Sequence, residues 1–289
     1  MKRTDTAPSP SLLSRRNALK LIGGGVAACV ADAVWLEPGM LTVTRRDIPC
    51  THLPPGLSGL KICFLSDFHF TPGADNGLLE KTIIAVGHEN PDIIALGGDY
   101  VADSDAVMNP LLEALGKLNA RHGIFAVMGN HDGWAGNAEV IRTRFERAGI
   151  SFLINRNTQL SIRGERLAVA GTDFVWLGKP DPARTLRGIA ASTPVLALVH
   201  EPDYFDRMIH QREILLQLSG HTHGGQCRVP FLGCAPAKVE FGKNYVYGDY
   251  RRGDSHLFVT RGLGMTGLRV RFACPPEVAV LTLRSPVSA

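Results

Sequence analysis

Five short apolar runs, at 61–65, 92–96, 123–128, 194–199 and 213–218, punctuate the chain, and each stops at glycine or a polar residue. Short runs without strict alternation fit strands buried on both faces, as in a sheet covered by helices. Helix start signals lie between them: Asp75 or Asn76 ahead of 78–88, Asp105 ahead of 106–121, Asn137 ahead of 138–148 with Gly149 as the stop, and Asp181-Pro182 opening 183–191. Residues 41–48 alternate with period two and predict a first strand, followed by a Pro/Gly loop at 49–59. Residues 160–170 predict a hairpin in which Gly164 leads a two-residue turn, and the tail from 245 to 283 is mostly strand. Strands alternating with helices, interrupted by hairpin and tail, predict an α/β core with mixed rather than purely parallel sheets. No linker divides it, so residues 34–289 are expected to form one domain.

Composition narrows the class. With 289 residues, 45% hydrophobic and 20% charged, the chain can fill a core and is not mainly disordered. Its 31 Gly and 18 Pro follow no period, which suits turns rather than a linker or collagen. Most of the formal net charge of +4 belongs to residues 1–33, where Lys2, Arg3, Arg15, Arg16 and Lys20 face only Asp5 and Asp32. The nearly neutral remainder offers no nucleic-acid-binding surface, since such binding rests on clustered phosphate-neutralising charge.

The paired Arg15-Arg16, followed by the apolar stretch 21–28, resembles a twin-arginine (Tat) export signal, although Ala18 stands where such signals usually carry Phe. The resemblance implies passage through the Tat machinery to the periplasm or cell envelope. The apolar stretch 21–36 is interrupted by Asp32 and the glycines 23–25, which makes it short for a bilayer span of about 20 residues. Three fates remain open at this point: cleavage after Ala33, lipidation at Cys29, or retention as an anchor with peripheral membrane association. Six cysteines are too few and too irregular for a disulfide scaffold; Cys63 reads as core, and Cys227 and Cys234 flank a loop that a disulfide could close.

Each apolar run ends in residues able to hold a metal: Asp67 and His69, Asp99, Asn130 with His131 and Asp132, His200, and His221 with His223. Ligands of open α/β sheets bind beyond the carboxyl ends of the strands, so five such ends can converge. Residues two apart at a strand end point the same way, which would bring Asp67 to His69 and His221 to His223. Singly these signals are weak, and His52, His88, His122, His210 and His256 fit no pattern; the ordered set is what carries weight. Imidazole, carboxylate and amide donors without thiolate disfavour a structural zinc site and suit Mn, Fe, Co or Zn in an open catalytic site. Seven donors exceed the needs of one ion and suit two divalent ions sharing a carboxylate, the arrangement that serves phosphoester hydrolysis.

The ordered motifs D-x-H, G-D, G-N-H-D, H and G-H-x-H across 61–225 are similar to those of the calcineurin-like metallophosphoesterase superfamily. The stretches 220–226, 261–264 and 275–277 look like its branch of bacterial, often exported phosphodiesterases, which includes relatives acting on lipid-linked nucleotide sugars. The resemblance implies a two-sheet sandwich flanked by helices in four layers. It implies one metal on Asp67, His69 and His223, a second on Asn130, His200 and His221, Asp99 bridging both, a hydroxide between them as nucleophile, and His131 as general acid. Many members carry a second Asp three residues after the first to orient that histidine; here the position is Ala102, leaving Asp103, Asp132 or another group to hold His131. Tyr100 directly follows Asp99 and would point away from it, which argues against a ferric-tyrosinate centre.

Trp134 and Trp176 could wall a substrate pocket or fill interior space, and Arg261 and Arg269 could steer a phosphate or be solvated. The expected function is a phosphodiesterase on a phosphoester substrate of envelope or lipid-linked type. Its alternatives are a pyrophosphohydrolase on a lipid-linked nucleotide sugar, a phosphomonoesterase, and more remotely a non-catalytic scaffold of the same fold.

Overall fold

The computed structural model describes residues 14–229, 233–235 and 239–285. Helices are α1 (Arg15–Ala31), α2 (Asn76–Glu89), α3 (Met108–Leu115), α4 (Asn130–Ala135), α5 (Ala138–Arg147), α6 (Pro182–Thr185) and α7 (Phe205–Ile209). Strands are β1 (Thr42–Pro49), β2 (Lys61–Leu65), β3 (Ile93–Leu96), β4 (Ile124–Ala126), β5 (Ser151–Phe152), β6 (Arg156–Ile162) and β7 (Glu165–Gly171). They continue with β8 (Val195–Leu198), β9 (Leu216–Ser219), β10 (Cys227–Val229), β11 (Gly233–Ala235), β12 (Gly248–Arg252), β13 (Ser255–Val259) and β14 (Glu277–Arg284).

Two six-stranded sheets form the body, in the orders β1-β14-β2-β3-β4-β5 and β12-β13-β9-β8-β7-β6. Strands β2 to β5 are parallel and β14 runs against β2; in the second sheet β7, β8, β9 and β13 are parallel, with β6 and β12 as antiparallel edges. All five apolar runs are central strands, so both faces of each are covered. Ile62 and Phe64 of β2 point between the sheets toward Leu196, Leu198, Leu216 and Leu218, whereas Cys63 and Leu65 face the layer of α2, α3 and α5. The far face of the second sheet, with Ala168, Ala197 and Val195, packs on Met208 and Leu186 beside α6 and α7. The expected α/β sandwich of mixed sheets between helices is what the chain forms. Cys63 is plain core, its thiol pushed up to about 12 by burial.

Several elements differ from expectation. The helix expected over 106–121 is a tight turn at Asp105–Val107 followed by α3, which stops at Leu115 ahead of Gly116. That expected over 183–191 is a single turn, Pro182–Thr185. In the β6–β7 hairpin Ile162 pairs with Glu165, so the two-residue turn is Arg163-Gly164 and Gly164 is its second residue. Both turn residues have positive φ (51° and 85°), the geometry that matches strand twist in a two-residue hairpin. In the tail, β12, β13 and β14 are strands, but the stretch between β13 and β14 is irregular backbone that walls the site. The Cys234 side chain lies outside the described residues, and with it the question of its pairing with Cys227.

Helix α1 continues without a break through a wide turn (Asp32–Leu36) and a tight one (Glu37–Gly39). The glycines at 23–25 and Asp32 do not interrupt it, so a helix of 25 residues, Arg15–Gly39, is long and apolar enough to cross a membrane by length and composition. Counting the apolar stretch alone understated its length.

Candidate metal centre

The carboxyl ends of β2, β3, β4, β8 and β9 converge, and all eight residues singled out for chemistry meet there. Three overlapping groups, Asp67–His69–His223, His69–Asp99–His131 and Asp99–His200–His221, each have donor atoms within 4.8 Å of one another. Asn130 joins the third, its Oδ1 being 2.9 Å from His221 Nδ1.

Strand alternation is not what aims these side chains. Asp67, His69, Asp99, His221 and His223 all have left-handed backbone, with φ of 55°, 39°, 52°, 71° and 50°. Such conformations are uncommon for non-glycine residues and cost on the order of 1 kcal/mol or more each, so the surrounding structure must enforce them. It does so by backbone pairing: Asp67 N–H donates to the Gly98 carbonyl at 2.9 Å and His69 N–H to the Asp99 carbonyl at 3.0 Å. The motif glycines are spacers. A Cβ on Gly129 would fall 2.1 Å from Asp99 Oδ1, and one on Gly220 would fall 2.2 Å from Asp67 Oδ2.

Asp99 occupies the centre. Its Oδ1 accepts the His131 N–H at 2.9 Å, and its Oδ2 lies 3.5 Å from His69 Nε2 and 3.2 Å from His200 Nε2. His200 donates Nδ1–H to the Gly97 carbonyl at 2.7 Å, which turns the Nε2 lone pair inward. His221 donates Nε2–H to the Glu240 carbonyl at 2.6 Å and turns Nδ1 toward Asn130. Nε2 of His69 and of His223 approach to 3.1 Å. Backbone carbonyls thus hold two of the imidazoles in the tautomer a metal requires.

These residues fit metal ions. Among the described residues, Asp67 Oδ2 and His200 Nε2 are buried without a hydrogen-bond partner, and inward lone pairs crowd one another unless a cation is shared. Burial lowers His69 and His221 to about 4 and His223 well below its ordinary value, so these imidazoles are neutral near pH 7 and free to coordinate. Burial raises Asp67 to about 6. Burial also works against charge on Asp99, but His200, His69 and His131 hold it well below the usual carboxylate range. Burial opposes charge on His200, yet the facing Asp99 carboxylate raises its pKa above the ordinary imidazole value.

The group that orients His131 is neither carboxylate weighed from the sequence. Its Nδ1 lies 2.7 Å from the backbone carbonyl of Ala102 itself. Asp132, fully buried, instead holds the loop that presents this carbonyl: Oδ1 accepts from Tyr100 and Val101 N–H at 2.8 and 3.3 Å, and Oδ2 from Gly129 N–H at 2.9 Å. Burial and the Asp99 charge push Asp132 up to about 7. Tyr100 points into the core, its single O–H shared between the carbonyls of Val127 at 3.0 Å and Leu96 at 3.2 Å.

Aromatic rings line the rim. Trp134 stands 4.9 Å from the His131 ring and 5.0 Å from Trp176, which meets His221 edge-on at 6.2 Å. Glu201 fixes the Trp176 backbone by accepting its main-chain N–H at 3.0 Å. Arg261 is bound to Glu277, Thr42 and Thr44 beneath the Tyr247 ring, and the half-exposed Arg269 pairs with Asp75. Asp132 and Glu201 adjoin donors in sequence, but their roles depend on backbone N–H groups that no side-chain pattern reveals.

Residues 60–225 match the family of calcineurin-like phosphoesterases. An uncharacterized metallophosphoesterase of Bacillus subtilis (strain 168), YkuE, is 35% identical over 94% of this chain and 98% of its own length. This chain is a calcineurin-like phosphoesterase. As such it is a metal-dependent phosphoester hydrolase, with histidine and aspartate groups able to hold the metals. The phosphoesterase is also 34% identical to phosphodiesterase YaeI of Escherichia coli (strain K12), over 94% of this chain and all of the relative. A transmembrane protein with metallophosphoesterase domain from Danio rerio is 29% identical over 94% of this chain and 67% of that protein.

Proposed function

We propose that this phosphoesterase is a phosphodiesterase working with two divalent transition-metal ions, exported by the twin-arginine route to the cell envelope. The observation that carries the reading is the position of Asp99, whose carboxylate faces His69 on one side and His200 on the other. Asp67, His69 and His223 would hold one ion, Asn130, His200 and His221 the second, and Asp99 both. Bound there, the ions supply the positive charge that lowers the pKa of an attacking water and offsets charge on the phosphoryl oxygens. His131 faces the same space, half-buried, with Nδ1 engaged by the Ala102 carbonyl so that Nε2 is the atom left to give a proton to the departing oxygen. The likeness to phosphodiesterase YaeI favours diesters, and Ser14-Arg15-Arg16 ahead of the apolar helix favours export.

The test is hydrolysis of bis(p-nitrophenyl) phosphate against p-nitrophenyl phosphate by metal-loaded full-length protein. The diester should be cleaved with the higher kcat/KM, and His131→Ala should lower kcat by about 10²–10⁴ while metal content stays unchanged. Preference for the monoester, or full activity in that variant, contradicts the proposal.

A further inference from the structure

The foot of the N-terminal helix is built into the wall of the metal centre. The Ala33 carbonyl accepts the Arg271 N–H at 3.0 Å. The Glu37 carboxylate, 6% exposed, accepts the backbone N–H groups of Ala273, at 2.8 Å, and Cys274. The Gly39 carbonyl accepts from Lys81 Nζ at 3.2 Å. The segment so gripped touches the site directly. Cys274 Sγ–H donates to the carbonyl of His223 at 3.2 Å. Arg271, fully buried, donates to the carbonyls of Gly262 and Gly264, and Gly264 N–H donates to the Asp67 carbonyl at 2.6 Å. Topology agrees: β1 starts beside Glu277, and β14 runs against β2, so the helix enters at the sheet end where β2 delivers Asp67.

Ahead of this foot, the apolar part of the helix lies exposed among the described residues. Its apolar window has a mean hydropathy of 1.6 with none of it buried, and Leu19, Leu21, Ile22, Val26, Val30, Trp35 and Leu36 are exposed along it. Ahead of the gripped foot, the stretch from Arg15 to Asp32 rises on the order of 27 Å at about 1.5 Å per residue, close to the roughly 30 Å hydrocarbon thickness of a bilayer. Apolar exposure continues around the site mouth. Leu268 is 78% exposed on a loop that Gln226 pins by accepting the Thr266 N–H and donating to the Leu268 carbonyl. Leu177, 81% exposed, follows Trp176, and Trp134 is 45% exposed beside His131.

We infer that the helix stays with the domain as a bilayer anchor and holds the mouth of the metal centre against the lipid surface, so that the phosphoester it takes is the headgroup of a membrane amphiphile. Cleavage after Ala33 would cut the chain at the carbonyl that Arg271 grips. Anchor and substrate on one surface raise the effective concentration of one for the other, and Leu268, Leu177 and Trp134 would rest among the headgroups.

The substrate part rests on the phosphodiesterase reading, so the test separates the two. Full-length protein in phospholipid vesicles is given two diesters with the same leaving group: a diacylglycerol p-nitrophenyl phosphodiester in the bilayer and soluble methyl p-nitrophenyl phosphate. The vesicle-borne diester should be cleaved with a kcat/KM at least about tenfold higher. Leu268→Glu should lower that rate at least about threefold and leave the soluble diester unchanged, since it charges only the lipid-facing rim. Orientation is read without activity in Trp35→Phe, which leaves Trp134 and Trp176 as the chain's tryptophans. Their emission should be quenched by lipid spin-labelled at the headgroup. Cleavage of the soluble diester alone overturns the membrane substrate while the phosphodiesterase reading stands; cleavage of neither overturns both; and unquenched tryptophans in vesicle-bound protein overturn the orientation.

Discussion

The two sheets bring unlike chemistry to the same place. The first contributes every carboxylate of the candidate centre, Asp67 and Asp99, together with His69, Asn130 and His131, whereas the second contributes the imidazoles of His200, His221 and His223. Donors of both sides are buried; the first-sheet side carries the carboxylate charge, and on the second-sheet side backbone carbonyls hold two of the three imidazoles, Gly97 for His200 and Glu240 for His221. Neither half is a metal site alone, and Asp99 opposite His200 is where they meet. Donors are therefore assembled by packing of the two sheets, and the apolar layer between them, from Ile62 and Phe64 to Leu216 and Leu218, sets the distances.

Removing the shared group should do the most damage. Asp99→Asn keeps the shape but loses the charge facing both halves, and we expect kcat on bis(p-nitrophenyl) phosphate to fall by on the order of 10³ or more, with metal content reduced by elemental analysis. Equal metal content and activity would mean that the halves do not share a ligand. A smaller effect should follow from Asp132→Asn, which is not among the donors of either half but holds the loop that carries Ala102. Activity should drop about 10–100-fold with metals retained, because His131 loses its orientation. An effect confined to thermal stability would make Asp132 a structural residue only.

The smallest effect is on the pH dependence of the metal-free protein. Asp67, at about 6, must ionise to bind metal, so uptake followed by equilibrium dialysis should weaken as pH falls below about 6. Stability runs in two senses. The raised pKa of Asp67 means that stability present below its unfolded value of about 3.9 is lost as pH rises through about 6. The lowered pKa values of His69 and His221 mean that stability present above about 6.5 is lost as pH falls through about 4. Metal loading should flatten both slopes in thermal denaturation; identical profiles with and without metal would contradict the assignment of these donors.

How far the sequence was legible follows the same division. The strands that bear the donors were readable because an apolar run ending in glycine and a polar residue is itself the signature of a buried strand opening into a site. The left-handed turns after those strands were not, since Asp67 and His69 reach the same spot by strained backbone rather than by alternation. Nor was the partner of His131: a carbonyl is present at every residue, so nothing in the sequence marks Ala102 as the one that faces it. Glu37 escaped notice for another reason. It lies just past an apparent export leader, and only its bonds to Ala273 and Cys274, far away in sequence, tie that leader to the centre. Helices ending early at Leu115 and Thr185 show how weak start signals are without a stop.

The most direct test of the shared centre is anomalous diffraction from crystals of the full chain loaded with Mn²⁺. Two peaks about 3.5–4 Å apart are predicted, one against Asp67, His69 and His223, the other against Asn130, His200 and His221, with Asp99 touching both. A single peak, or peaks away from Asp99, would contradict the account.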